Sequence, residues 1–232
     1  MNRPVPLPLP AAPATRWHAE LGRRVRRHPA LKTLGISAFI ALFFQGYFHM
    51  LRNPVFPVTE MPLTPLDAWI PFQPQALAVY LSLWLYVGVA PGLLLTLRDL
   101  LVYGLWAAAL CLVGLACFYL WPTTVPPRTM DVSGLPGFAL LQGVDGAGNA
   151  CPSLHVATAV FTALWVRRLL AIVGAPAWLH GLNLAWVLAI TWSTVAIRQH
   201  VVLDAVAGAV LGTLFAWAAI RWSAGVGTDR GR

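Results

Sequence analysis

Two histidines and an aspartate stand at the ends of apolar stretches, where polar side chains are least expected. His155 follows Pro152 and Ser153 at the start of one stretch, and His200 lies between two others, four residues before Asp204. Because residues four apart in a helix share a face, Asp204 is expected to accept a hydrogen bond from one ring nitrogen of His200. That bond would leave the other nitrogen as a base or nucleophile. The alternative is a structural pair that only ties two helices together.

Groups suited to binding an anion lie near these histidines. Ser153 marks a predicted helix N-terminus, whose free N–H groups bind phosphate with the hydroxyl as a further donor, although the simpler interpretation of Ser153 is a helix cap. Arg128 follows two prolines, and Arg198 lies two residues before His200. Guanidinium groups bind phosphate oxygens bidentately, and both arginines are predicted to do so. For Arg52 we favour the alternative, contact with lipid headgroups.

Together these groups predict phosphoryl transfer. One histidine can attack phosphorus while the other protonates the leaving oxygen, and the arginines and helix amides stabilise the charged oxygens. The sequence has no cluster of aspartates to hold Mg²⁺ and no CxxC pair, so we expect neither a metal nor another cofactor. Of the three cysteines, Cys111 and Cys117 lie in an apolar run and are interpreted as small hydrophobic residues.

The composition requires a membrane to position these residues. Of 232 residues, 58% are hydrophobic and 10% are charged, whereas soluble domains carry about 25% charged residues. Six apolar stretches are each near the ~20 residues that cross a bilayer. They cover residues 34–51, 77–97, 100–120, 153–170, 181–199 and 201–220. The predicted fold is therefore an all-α integral membrane protein, a bundle of six transmembrane helices.

The basic residues predict the orientation of this bundle. The net charge is +8, and much of it lies between Arg16 and Lys32, before the first apolar stretch. Positive charge of this kind stays on the cytoplasmic side, so both termini are predicted to be cytoplasmic and the histidines to face outward. We predict a disordered basic segment at 1–33, a catalytic membrane domain at 34–221 and a cytoplasmic tail at 222–232. Nucleic-acid binding is not expected, because nothing in the sequence offers a groove-reading element.

The segments that carry the candidate residues resemble a known family. The tetrapeptide from Pro152 to His155 is similar to the Pro-Ser-Gly-His motif of the type 2 phosphatidic acid phosphatase superfamily, which contains lipid phosphatases and phosphotransferases. The segment from Ser193 to Asp204 resembles its Ser-Arg-x5-His-x3-Asp motif. The resemblance implies that His200 forms a phosphohistidine, that Asp204 orients it, and that His155 is the general acid–base. It also implies a six-helix core and metal-independent chemistry.

Several positions depart from the family pattern. Thr194 replaces the arginine after the serine, Leu154 replaces the glycine, and the Lys-x6-Arg-Pro motif is absent. Arg198 and Arg128 are the candidates to supply the missing cations. The combination of Ser-Leu-His with a Ser-Thr start is most similar to the branch that includes inositol phosphorylceramide synthases, which transfer a phospho-headgroup.

Three functions remain open at this point. Water could resolve the phosphohistidine, as in a lipid phosphatase, or an alcohol-bearing acceptor could do so, as in an inositol phosphorylceramide or sphingomyelin synthase. The third is a lipid-binding or transport protein without catalysis, in which His and Asp relay protons. The expected substrate is a lipid phosphate or phospholipid. The preference for Arg over Lys suggests a bacterial inner membrane, with the site facing the periplasm.

Overall fold

The protein is mostly helical in the computed structural model, which describes residues 17–127, 137–138 and 148–223. The helices are α1 (Trp17–Arg26), α2 (Pro29–Arg52), α3 (Pro65–Trp69), α4 (Pro74–Gly92), α5 (Leu97–Leu120), α6 (Leu154–Ile172), α7 (Ala177–Ala196) and α8 (Val202–Trp222). Helix α4 is a broken span. It consists of the 3₁₀ turn Pro74–Ala76 and the short helices Leu77–Leu81, Leu83–Tyr86 and Val89–Gly92.

Six of these helices confirm the predicted membrane spans. Within the described ranges, α2 and α4 to α8 are long and apolar enough to cross a bilayer. Their ends differ from the predicted ones by a few residues. Helix α2 begins at Pro29 because proline suits the first helical turn. Helix α5 begins at Leu97, where Thr96 caps it by accepting a hydrogen bond from the Asp99 amide. Arg98 and Asp99, which separate two of the predicted stretches, therefore lie in the first turn of a helix.

Helix α6 lies at the centre of the bundle. It is the most buried of the six spans and packs along α8 and α7. The approach of α8 depends on two glycines. A Cβ atom at Gly208 would lie 2.3 Å from the carbonyl oxygen of Ser153, and one at Gly212 would lie 2.3 Å from that of Ala157. Because no larger residue fits, these glycines set the distance between the two helices that carry His155 and Asp204.

The two long connections meet at one end of the bundle. Strand β1 (Thr59–Glu60), between α2 and α4, pairs in parallel with strand β2 (Thr123–Thr124), which follows α5. The backbone of Met61 also donates to the carbonyl of Thr124 at 2.9 Å. This pairing covers the end of the bundle at which α6 and α8 begin.

The predicted disorder of the N-terminal segment needs correction. The segment 1–33 was expected to be disordered, but α1 forms from Trp17, and 29–33 belongs to α2. Glu20 accepts from Arg23 and Arg24 one turn later, at 2.8 and 2.7 Å, and Arg24 also donates to the carbonyl of Leu93. These bonds stabilise a basic helix that composition alone favours as disordered. Residues 1–16 and 224–232 lie outside the described residues.

Candidate active site

His155 is held on two sides. It is the second residue of α6, whose N-cap is Ser153. Its Nε2 donates to the backbone carbonyl of Tyr80 at 3.1 Å, because a carbonyl oxygen only accepts. Its ring stacks on the ring of Tyr80, with 3.9 Å between centroids and 13° between planes. The bond at Nε2 fixes the tautomer, so Nδ1 is the nitrogen left for proton transfer.

His200 lies outside regular helix, in the turn between α7 and α8. Its backbone N–H donates to the carbonyl of Thr194 at 3.1 Å, and the residue is 9% exposed. Nδ1 lies 3.5 Å from Oδ2 of Asp204, so the two side chains are neighbours, but the predicted hydrogen bond between them is not formed. The reason given for it was wrong, since α8 begins only at Val202 and the two residues do not share a helix face.

Asp204 joins the two helix starts. It is fully buried in the first turn of α8, where Oδ2 accepts from the N–H of Val201 at 3.0 Å. Its backbone carbonyl accepts from the N–H of Ser153 at 3.0 Å. This second bond ties the start of α6 to the start of α8. The same carboxylate thus helps to fix the turn that carries His200 and lies beside its imidazole.

The two histidines line one cavity. It has a volume of about 640 Å³, lies between α2, α4, α5 and α6, and has mostly apolar walls. Tyr47, Tyr80 and Asn149 line the same end as the histidines, and the Asn149 side chain donates to the carbonyl of Tyr47 at 3.1 Å. The structure therefore places the two predicted histidines together, at the end of an apolar space.

The predicted phosphate-binding residues have different positions. Arg128 lies outside the described residues. Ser153 is fully buried, and its Oγ accepts from the N–H of Val156 at 3.2 Å, as expected for a helix cap. Arg198 donates from its two terminal nitrogens to the carbonyls of Asp67 and Ile70, at 3.0 and 2.9 Å. Among the described residues that line the cavity, neither Ser153 nor Arg198 is found, so phosphate binding by these side chains stays a prediction.

Asp67 was not predicted as a site residue. It is 1% exposed in the connection between α2 and α4. Its Oδ1 accepts from the N–H of Val202 at 2.8 Å, and its Oδ2 accepts from the N–H and hydroxyl of Thr64, each at 2.7 Å. Burial favours the neutral form of this carboxyl. The hydrogen bonds from Thr64 and Val202, with the charge of Arg198, outweigh burial and hold the pKa of Asp67 below its usual range.

A local signal for Asp67 was present in the sequence. Thr64 followed three residues later by an acid, with proline at the first helical position, is a capping pattern that predicts α3. Its contact with Val202 had no such signal. Tyr80 and Asn149 gave none either, since one lies inside an apolar run and the other inside a Gly-rich connection.

Metal binding would require several His, Cys, Asp or Glu side chains close together. In the part of the chain that the structure describes, no three His, Cys, Asp or Glu side chains form a group suited to a metal ion. The expectation that the chemistry needs no metal stays a prediction.

Comparison with known proteins gives one match. The family model described as the PAP2 superfamily matches residues 66–218, which include most of α3, all of α4 to α7, most of α8 and all three candidate catalytic residues. Searches of curated proteins and of solved structures gave no significant match.

Proposed function

The chain belongs to the PAP2 superfamily, and from this premise we propose that it removes or transfers the phosphate-bearing group of a membrane lipid through a phosphohistidine. Superfamily membership and six membrane-spanning helices support a phosphatase-type function in the membrane. The observation that carries the finer proposal is that His155 and His200, from separate parts of the chain, line one apolar cavity.

In the first step, Nε2 of His200 attacks phosphorus and the bond from phosphorus to the lipid oxygen breaks. His155 gives a proton to that oxygen as it leaves. The attack places positive charge on the His200 ring, and the Asp204 carboxylate at 3.5 Å from Nδ1 stabilises it. His155 enters this step as the imidazolium. Because its Nε2–H is hydrogen-bonded to the Tyr80 carbonyl, the proton transferred is the one carried by Nδ1.

In the second step, water attacks the phosphohistidine. His155, now neutral, accepts a proton from the water, the N–P bond breaks, and His200 is regenerated as phosphate leaves. The first-turn amides of α6 suit the charged phosphate oxygens. Arg128 is proposed to add a cation here.

An alcohol in place of water would make the protein a headgroup phosphotransferase. The feature that favours this is the Ser-Leu-His sequence at 153–155, which is similar to the inositol phosphorylceramide synthase-like branch. Incubation with a phosphorus-labelled phospholipid separates the two reactions, since hydrolysis releases the labelled phosphate-bearing group into water and transfer yields a new labelled lipid.

The proposed location is a bacterial inner membrane, with residues 34–221 as the catalytic domain and the site facing the periplasm. The basic α1 and the arginines near the other end of the bundle support this orientation.

Trapping labelled phosphate on the protein tests the mechanism. In His155→Ala, the intermediate should accumulate and the label should map to residue 200, whereas His200→Ala should neither bind label nor turn over substrate. The control is His180→Ala, because His180 lies on α7 outside the cavity, and this variant should behave like wild type. Both proteins should remain active in the presence of a metal chelator. Unchanged turnover in both His200→Ala and His155→Ala would instead favour a non-catalytic lipid-binding or transport protein.

A further inference from the structure

We propose that the cavity extending from the histidines binds the long apolar chain of the substrate, and that a gap between two glycines, Gly35 and Gly104, receives the far part of that chain. This inference rests on the proposed function, because it places the phosphate at His155 and His200. It adds the substrate class: a phosphate ester whose apolar chain extends across most of the bilayer.

The cavity is long. Its lining on α2 extends from Leu31 to Tyr47, a helical distance of about 24 Å at 1.5 Å per residue. The hydrocarbon core of a bilayer is about 30 Å thick. The histidines lie at the Tyr47 end of the cavity. Asn149, which lines the cavity shortly before α6 and His155, donates a hydrogen bond to the Tyr47 carbonyl.

The opposite end of the cavity is polar, and hydrogen bonds join the helices there. The Nζ atom of Lys32 donates to the carbonyls of Arg24 and Gly92, at 2.7 Å each, and the lysine is 5% exposed. These bonds join α1, α2 and α4 beneath the apolar walls. An apolar chain gains nothing by displacing them, so this end limits the depth that the chain reaches.

A register between α2 and α5 places the two glycines at a similar depth in the bundle. The helices cross the bilayer in the same direction, because one span, α4, lies between them in the chain. At Gly46 a Cβ atom would lie 3.2 Å from the Leu115 side chain, so the two helices are in contact near these positions. Gly35 and Gly104 each lie eleven residues earlier, which is close to three full helical turns.

The space beside each of these glycines is open. A Cβ atom at Gly35 or at Gly104 would meet no atom within 4 Å, and both residues line the cavity. Glycine in the middle of a helix costs about 1 kcal/mol relative to alanine, so two glycines at one depth need a reason. Close packing explains Gly208 but not these positions. A ligand chain that occupies the gap explains both.

The gap is far from the reaction. It lies twelve residues, or about 18 Å, from the level of Tyr47. A short chain attached to a phosphate at the histidines does not reach it, whereas a long chain does. Filling the gap should therefore change the preference for chain length and leave the chemistry intact.

The test uses hexyl, decyl, tetradecyl and octadecyl phosphates with Gly104→Leu and, separately, Gly35→Leu. For each substrate the measured quantity is the ratio of kcat/KM in the variant to that in wild type, which cancels the partitioning of the substrate into detergent. We expect a ratio near one for hexyl phosphate and a loss of about tenfold for octadecyl phosphate, the loss produced by two buried methylene contacts. The two variants should agree, although they alter different helices.

The matched control is Gly181→Leu. Gly181 lies on α7, where a Cβ atom also meets nothing within 4 Å, but it does not line the cavity. For Gly181→Leu, the ratio of kcat/KM to that of wild type should not depend on the chain length of the substrate. Gly104→Ala adds one carbon to the same gap and should shift the ratio less, in the same direction, even if the leucine variants do not fold.

Equal ratios for all chain lengths in the glycine variants would overturn this inference. The proposed function would survive that result if wild type still formed labelled protein at His200. Failure of wild type to act on any of the alkyl phosphates or phospholipids would instead contradict the proposed function itself.

Discussion

Asp67 forms hydrogen bonds with residues on both sides of His200 and none with His200 itself. Its Oδ1 accepts a hydrogen bond from the N–H of Val202, two residues after His200. Its backbone carbonyl accepts one from the guanidinium of Arg198, two residues before His200. The connection between α2 and α4 is thereby fastened to both sides of the turn that presents the proposed nucleophile. We infer that Asp67 is a positioning residue, which acts through the backbone at 198–202.

Asp67→Asn tests this role. An asparagine side chain has one acceptor oxygen, so it cannot accept from both Thr64 and Val202, and we expect a loss of about 1–3 kcal/mol in stability. Because the lipid cavity is unchanged, kcat should fall while KM stays within about twofold of wild type. Glu60→Gln, an exposed acid in the same connection, is the control and should match wild type. A rise in KM with unchanged kcat would contradict a positioning role.

The pH dependence of stability gives a second measure of Asp67. Since the pKa of Asp67 is lower in the folded protein than its usual value near 3.8, its stabilisation is fully present well above that pH. It is lost as the pH falls below 3.8 and through the lower folded pKa. Melting curves at several acidic pH values should therefore show a smaller loss of stability in Asp67→Asn than in wild type.

At the scale of elements, α7 ends in an unusual way. The N–H of Gln199 donates to the carbonyl of Thr194 and that of Arg198 to the carbonyl of Val195, the pattern of a Schellman motif. Arg198 occupies its left-handed position, with φ of 59°, where glycine is normally found. An arginine there costs about 1–2 kcal/mol in backbone strain. Its two bonds to the Asp67–Ile70 segment offset this cost and lock the turn.

Arg198→Gly separates positioning from phosphate binding. Relief of strain should offset much of the lost bonding, so the melting temperature should stay within a few degrees of wild type while kcat falls about tenfold or more. Inhibition by inorganic phosphate should be unchanged if Arg198 only positions His200. Phosphate inhibition weakened by tenfold or more would support the direct contact that the sequence predicted. Arg198→Lys, which keeps a charge but not the planar fork, should be intermediate in kcat.

The contact between α6 and α8 is the second element on which the site depends. At Gly208 an added Cβ atom would collide with backbone, the Ser153 carbonyl, which cannot move without displacing the start of α6. Gly208→Ala should therefore destabilise the protein by about 1–3 kcal/mol and lower its melting temperature in detergent. Gly181→Ala, in open surroundings on α7, should be neutral or stabilising. Equal melting temperatures for the two variants would show that the helices separate easily.

At the scale of the whole molecule, the prediction to test is the orientation of the helix bundle in the membrane. The six spans of the described residues place the start of α2 and the end of α8 on one side of the bilayer, and the distribution of Lys and Arg predicts that this side is the cytoplasm. Fusions to a reporter that is active only in the cytoplasm, and to one that is active only outside it, should both report cytoplasmic termini. A fusion after residue 124, in the connection that carries β2, should give the opposite result. Periplasmic termini would place the histidines on the cytoplasmic face.

Hydropathy was sufficient for the spans but not for the structure between them. Helices α5 and α8 were predicted to within a few residues, because long apolar runs have a single favourable arrangement in lipid. The breaks within α4 and the helix α1 were missed. Both depend on neighbours: α1 is fastened by the bond from Arg24 to Leu93, across 69 residues of sequence.

The sequence by itself determined that this is a six-span membrane protein, and it predicted that His155, His200 and Asp204 form one site. Apolar content and short motifs are properties of a few neighbouring residues, so they can be read without coordinates. Only the tertiary structure decided how those residues are held: His155 against Tyr80, and the turn of His200 against Asp67. These contacts join residues 75 and 135 positions apart, and packing of the helices, which no local pattern encodes, brings them within bonding distance.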